Sequence, residues 1–124
     1  MKKKPLIYVA GPLSKGIVSN NIRRAIVTGH DLAMLGYGVF IPHLNFLWEV
    51  AVGGQDYEFW LDQDMQVLAH CDILFALDGE SPGRDREVEY AKANGIPVFT
   101  TWPEAKNWIK DYEANENVNS GNRQ

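Results

Sequence analysis

A chain of 124 residues is enough for one domain and too short for two, and 45% apolar with 23% charged residues is the balance of a soluble globular protein. Sixteen acidic against twelve basic residues leave a net charge of −4, which argues against a nucleic-acid polymer as partner but not against a pocket for one nucleotide. The lone Cys71 rules out an internal disulfide, no apolar stretch reaches the ~18 residues of a membrane span, and Leu6 to Ala10 is too short for a signal segment, so a cytoplasmic protein is expected.

In chain order, Leu6-Ile7-Tyr8-Val9-Ala10 reads as a buried strand that stops at Gly11-Pro12. Ser19 or Asn20 is placed to cap a helix whose apolar positions Ile22, Ala25, Ile26, Leu32 and Ala33 follow helical spacing up to Gly36. Tyr37 to Ile41 is a second strand closed by Pro42. His43 to Gly54 shows no clean period, and Gly53-Gly54 reads as a loop. The helical period returns from Gln55 to His70, with Leu61, Met65 and Leu68 on one face.

Asp72 to Leu77 reads as a third buried strand, Gly79 to Gly83 as a loop, and Arg84 to Asn94 as a helix stopped by Gly95. Ile96 to Thr100 is a fourth strand, and Pro103 to Tyr112 a last helix. From residue 113 the chain is polar and aperiodic, so a domain over 1–112 with a mobile tail over 113–124 is expected. Strands that are continuous apolar runs alternating with helices predict an α/β, doubly wound, three-layer domain on a mainly parallel sheet of four to five strands. Such sheets bind ligands beyond the carboxyl ends of their strands, which draws attention to the loops 11–18, 42–54 and 78–86.

Two carboxylates stand out. Asp64 lies three residues after Leu61 and four before Leu68, inside an apolar stripe where lost hydration raises its pKa. An acid at the edge of the stripe, bonded to a nearby loop, would have the same spacing. Glu87 is read at the start of its helix, where the dipole favours an ionised carboxylate and hence a candidate nucleophile. A first-turn acid that only stabilises the helix is the alternative. One acid held ionised and one held protonated is the division of labour of retaining glycoside cleavage.

Gly11-Pro12-Leu13-Ser14-Lys15-Gly16 and Ser81-Pro82-Gly83-Arg84 are small-residue loops after strands, fit either to cradle a phosphate or simply to turn. His43 is placed to touch a ligand or to make a structural hydrogen bond. Phe46, Trp48, Phe59 and Trp60 crowd one region, and one or two of them are expected to reach a ligand. No His or Cys pair has metal-ligand spacing, so no metal site is expected; no other cofactor is expected either.

These motifs resemble the nucleoside 2-deoxyribosyltransferase family and its relatives, the 2′-deoxynucleoside 5′-monophosphate N-glycosidases. The resemblance rests on Ile7-Tyr8-Val9-Ala10-Gly11-Pro12, on Asp64-Met65 followed by Cys71-Asp72, and on Ser81-Pro82-Gly83-Arg84-Asp85-Arg86-Glu87-Val88-Glu89-Tyr90-Ala91 with Gly95-Ile96-Pro97-Val98. It implies that Glu87 attacks the sugar C1′, that Asp64 assists departure of the base, that Tyr8 sits near the sugar, and that His43 contacts the ligand. The residue six before the nucleophile, usually Asp in the transferases, is Ser81 here, as in the monophosphate glycosidases. A neutral hydroxyl tolerates a phosphate dianion where a carboxylate repels it, and Lys15, Arg84 and Arg86 add positive charge. The segment His43 to Asp56 follows neither branch closely. The resemblance thus implies cleavage of the base–sugar bond of a nucleotide, with base exchange by a deoxyribosyltransferase, or a nucleotide sensor without turnover, as alternatives. A homodimer or larger assembly is expected by the same analogy.

Overall fold

A computed structural model describes residues 4–122. Four strands, β1 (Leu6–Ala10), β2 (Gly38–Phe40), β3 (Ile73–Ala76) and β4 (Val98–Phe99), form one parallel sheet in the order β2-β1-β3-β4. The helices are α1 (Val18–Met34), α2 (Asn45–Val52), α3 (Tyr57–Leu68), α4 (Pro82–Ala93) and α5 (Trp102–Asn122), with a 3-10 turn at Pro42–Leu44. This is the doubly wound α/β fold that the strand–helix alternation predicts.

Alternation along β1 builds both cores. Ile7 and Val9 pack with Ala25 and Leu32 of α1 and Ala105 and Ile109 of α5 on one side of the sheet. Tyr8 and Ala10 pack with Leu68 of α3 and Ala91 of α4 on the other. A central strand buried on both faces has no polar side to show, which is why it reads as an unbroken apolar run. Each fully buried Leu or Ile here stabilises the fold by ~1.5–3 kcal/mol relative to an exposed one. Gly29 lets α1 approach the sheet: a Cβ there would lie 2.3 Å from Ile41 Cδ1.

Several boundaries differ from the sequence reading. Helix α1 starts at Val18 with Ile17 as an N-cap that makes no side-chain bond, so Ser19 and Asn20 lie within the first turn. The stretch 43–54, without visible period, folds as the 3-10 turn and α2. Helix α4 begins two residues earlier than predicted, because the Ser81 hydroxyl accepts the Arg84 N–H at 3.0 Å and Pro82 occupies the first turn. Edge strand β4 is only Val98–Phe99. Helix α5 runs past Tyr112, the end that the sequence predicts, to Asn122; between Tyr112 and Gly121 no Gly or Pro interrupts it. The remainder of the expected tail, 123–124, and the basic start, 1–3, lie outside the described residues. Among the described residues no helix is long and apolar enough to cross a membrane.

Candidate active site

The sheet order reverses between β1 and β3, and a cavity of about 360 Å³ opens beyond the carboxyl ends of the strands. All three loops singled out from the sequence reach it. Gly11, Leu13, Ser14 and Lys15 follow β1; Pro42, His43, Asn45, Phe46 and Glu49 follow β2; Ser81, Gly83, Arg84 and Glu87 follow β3. Helix α3 closes the cavity with Tyr57, Trp60, Leu61 and Asp64. Spacing of three, one and three residues places these four on one helix face.

Glu87 and Asp64 thus meet in one cavity. Glu87 is the sixth residue of α4, in the second turn and 6% exposed, so burial rather than the helix dipole sets its state. Burial pushes its carboxyl up to about 8, opposed by the hydrogen bond from the Tyr8 hydroxyl and reinforced by the charge of Asp64. This corrects the expectation of a dipole-ionised acid. Burial likewise pushes Asp64 up to about 7, against the hydrogen bond that Asn45 Nδ2 donates to its Oδ1 at 2.8 Å. Both carboxyls therefore hold protons more tightly than free acids do, and they titrate as a pair across neutrality.

Tyr8 does not line the cavity. It is fully buried behind Glu87, with its ring 5.4 Å from that of Phe40 and its hydroxyl on Glu87 Oε2. Burial, then the charges of Glu87 and Asp64, raise its own pKa well above 10.0, so it stays a donor. Its contact is with the carboxylate, not with the open space.

Both small-residue loops contribute to the cavity lining. Asn21 Nδ2 donates to the carbonyls of Leu13 and Lys15, at 2.9 and 2.7 Å, and so shapes the first of them. His43, 4% exposed, donates Nε2–H to the Pro12 carbonyl at 2.8 Å; burial lowers its pKa and keeps it neutral. His43 thus both lines the cavity and holds the loop, while Pro12 itself is turned away from the lining. Gly79, at φ +112°, passes so close to Pro12 that a Cβ would lie 2.9 Å from its Cγ.

At the start of α4, Ser81 lines the cavity while capping the helix, and the Gly83 N–H has, as at any helix start, no acceptor within the helix. Of the cations expected to add charge, Lys15 lines the cavity. Arg84 also does, but its guanidinium is engaged by the Leu77 carbonyl at 2.7 Å and by Asp85 at 2.9 Å. Arg86 points elsewhere: it pairs with Glu58 at 2.8 Å and lies over the Tyr57 ring.

Phe46 and Trp60 are the aromatics of the crowded region that line the cavity; Trp48 and Phe59 instead pack edge-on against Trp60. Three polar residues of the lining are not singled out by the sequence. Asn45 bonds Asp64, Glu49 accepts the Trp60 Nε1–H at 3.0 Å, and Tyr57 sits 3.4 Å from where a Gly83 Cβ would be. Asn45 and Glu49 belong to the helix that had no period, and Tyr57 reads from sequence only as the first residue of a helix.

A family model described as a domain of unknown function, DUF4406, matches residues 5–100. No curated protein matches the chain. Among solved structures the chain is similar to a 2-deoxyribosyltransferase from the psychrotolerant bacterium Bacillus psychrosaccharolyticus, with 27% identity and a TM-score of 0.60 over 75% of this chain and 69% of that one.

Proposed function

The chain belongs to the DUF4406 family, and we propose that it is an N-glycosidase that cleaves the base–sugar bond of a 2′-deoxynucleoside 5′-monophosphate. The observation that carries this reading is the meeting of Glu87 and Asp64 in one cavity at the switch point of the sheet. The likeness to a 2-deoxyribosyltransferase, described as a biocatalyst for nucleoside synthesis, supports the same class of bond.

In this reading the Glu87 carboxylate attacks C1′ and the C1′–N bond breaks. The bond's electron pair leaves with the base, which takes the proton of Asp64. Water then attacks C1′ with Asp64 as base, and Glu87 leaves as carboxylate, so both acids return to their starting states. Tyr8 steadies the nucleophile through its hydrogen bond. Ser81, the Gly83 N–H and Lys15 receive the 5′-phosphate, and Phe46 and Trp60 form the walls against the base. The transferase likeness favours one other reading, base exchange, in which an acceptor base replaces water. Incubating enzyme, deoxynucleotide and a second free base separates the two: hydrolysis yields sugar phosphate, whereas exchange yields a new nucleotide.

Catalysis needs the carboxyl pair to share one proton. With Asp64 at about 7 and Glu87 at about 8, the productive form, Glu87 ionised and Asp64 protonated, is the minor of the two one-proton forms. Its population still rises and falls with the pair, so kcat/KM should follow a bell with its maximum between the two values. Asp64→Asn should lose the alkaline limb, because only ionisation of Glu87 remains. Its rate should fall most for bases that are poor leaving groups. An equal loss across good and poor leaving groups, with the bell intact, would remove Asp64 from the role of proton donor.

We also propose that the protein works as a homodimer or larger assembly. Leu44, Leu47 and Trp48, at one-turn spacing along the 3-10 turn and α2, are 55%, 72% and 45% exposed, apolar surface that burial against a second copy would remove from water. Sedimentation should give a multiple of 14.0 kDa that Leu47→Lys dissociates; a monomer at micromolar concentration would contradict this.

A further inference from the structure

The contact between α2 and Asp64 has a consequence for the proton. Asn45 is the first residue of α2, and its amide reaches Asp64 of α3 inside the cavity, Nδ2–H to Oδ1 at 2.8 Å. A carboxylic acid accepts best through its carbonyl oxygen. A donor fixed on Oδ1 therefore makes Oδ1 the carbonyl and leaves the acid proton on Oδ2. Helix α2 has no buried residue of its own. It is held against α3 by this bond, by the Glu49–Trp60 bond and by the edge-on packing of Trp48 on Trp60. The amide is thus part of a local frame rather than a side chain sweeping through solvent.

We propose that Asn45 is a positioning residue for Asp64, setting which oxygen carries the proton and stabilising the carboxylate that forms when the proton leaves with the base. The proposal rests on the reading of Asp64 as the proton donor. In the step, the Asp64 Oδ2–H bond breaks, its proton joins the base nitrogen that receives the electron pair of the C1′–N bond, and the negative charge stays on Asp64. The Asn45 N–H is a neutral donor to a neutral acid before this step and to an anion after it. Hydrogen bonds to charged groups are about twice as strong, so the contact strengthens as the reaction proceeds.

The groups that share the cavity with Asp64 are Glu87 and Arg84 from α4, Glu49 from α2, Tyr57 on its own helix, His43 from the 3-10 turn and Lys15 from the loop after β1, with Tyr8 of β1 behind Glu87. Asn45→Ala changes none of their charges. A movement of the Asp64 titration in that variant is then attributable to the lost donor. Burial already raises this carboxyl and the Asn45 bond opposes the rise, so losing the bond should move it further up, by about one unit or more for a hydrogen bond to a charged group.

The test is a carbon-13 NMR titration of the Asp64 carboxyl in the ligand-free protein, for wild type, Asn45→Ala and Asn45→Ser, beside kcat/KM on a poor and a good leaving group. The expected result is an upward shift in Asn45→Ala, partial return in Asn45→Ser, whose hydroxyl can still donate, and a rate loss of about ten-fold or more confined to the poor leaving group. An Asp64 titration that does not move in Asn45→Ala overturns the proposal. So does a shift accompanied by equal rate loss on both leaving groups, which would make the contact structural only. A wild-type protein that releases no base while Asn45→Ala still shifts Asp64 would overturn the function proposed above, and with it the catalytic half of this proposal, leaving the coupling of the two side chains supported.

Discussion

Glu87→Gln is expected to abolish turnover and to make the protein more stable in mild alkali. The amide cannot form the bond to C1′, and loss of a covalent path costs ~10³-fold or more in kcat. Retention of more than about a tenth of the activity would sink the assignment. The stability half follows from the sign of the shift. The folded-state pKa of Glu87 is raised from its ordinary 4.5 to about 8, so the folded protein binds the proton more tightly than the unfolded chain does. Stability from this group is fully present below pH 4.5 and is lost as pH rises through 8. Gln carries no such charge and still accepts the Tyr8 hydroxyl. The melting temperature of Glu87→Gln should therefore exceed that of wild type above pH 8, with the gap narrowing toward pH 4.5. A gap that widens in acid would mean that the buried carboxyl is stabilised as an anion.

Ser81→Asp should invert substrate preference between monophosphate and nucleoside. Asp caps helices as well as Ser does, so the Arg84 N–H keeps an acceptor and the fold is spared. A carboxylate about 4 Å from a phosphate costs roughly 4 kcal/mol per charge pair at an effective dielectric of 20, almost three decades in kcat/KM. Lys15 lines the cavity and offsets part of this, whereas the Arg84 guanidinium is already committed to Leu77 and Asp85. Nucleosides, whose 5′-hydroxyl can donate to the new carboxylate, should lose far less. The quantity to measure is the ratio of kcat/KM, monophosphate over nucleoside, in both proteins at the same salt. A constant ratio with both proteins active would show that Ser81 does not read the 5′ position.

What the sequence disclosed was what local pattern carries. The apolar runs ending at Gly11-Pro12 and Pro42, and the third run leading into Gly79, mark the strands. The loops after them are the ones that line the cavity. Asp64 was legible because an acid between Leu61 and Leu68 breaks a helical stripe, and burial does raise its pKa. Helix α2 was not legible, because it is apolar on nearly every side and buries no residue, so no period points toward a core. Asn45 and Glu49 were hidden with it. Glu87 was placed correctly in the chain but given the wrong electrostatics: the Ser81 cap moves the helix start back, and burial, a tertiary property, outweighs the dipole. Tyr8 alternates into the core with Ala10, which the strand pattern contains but which says nothing of Glu87 standing above it.

The most direct measurement is chromatography of free base after incubating the wild-type protein with each 2′-deoxynucleoside and its 5′-monophosphate, beside Glu87→Gln. Free base together with deoxyribose 5-phosphate, formed faster from a monophosphate than from its nucleoside and not at all by Glu87→Gln, is the predicted result. Free base from nucleosides alone, or none from any substrate, would contradict a nucleotide N-glycosidase built on Glu87.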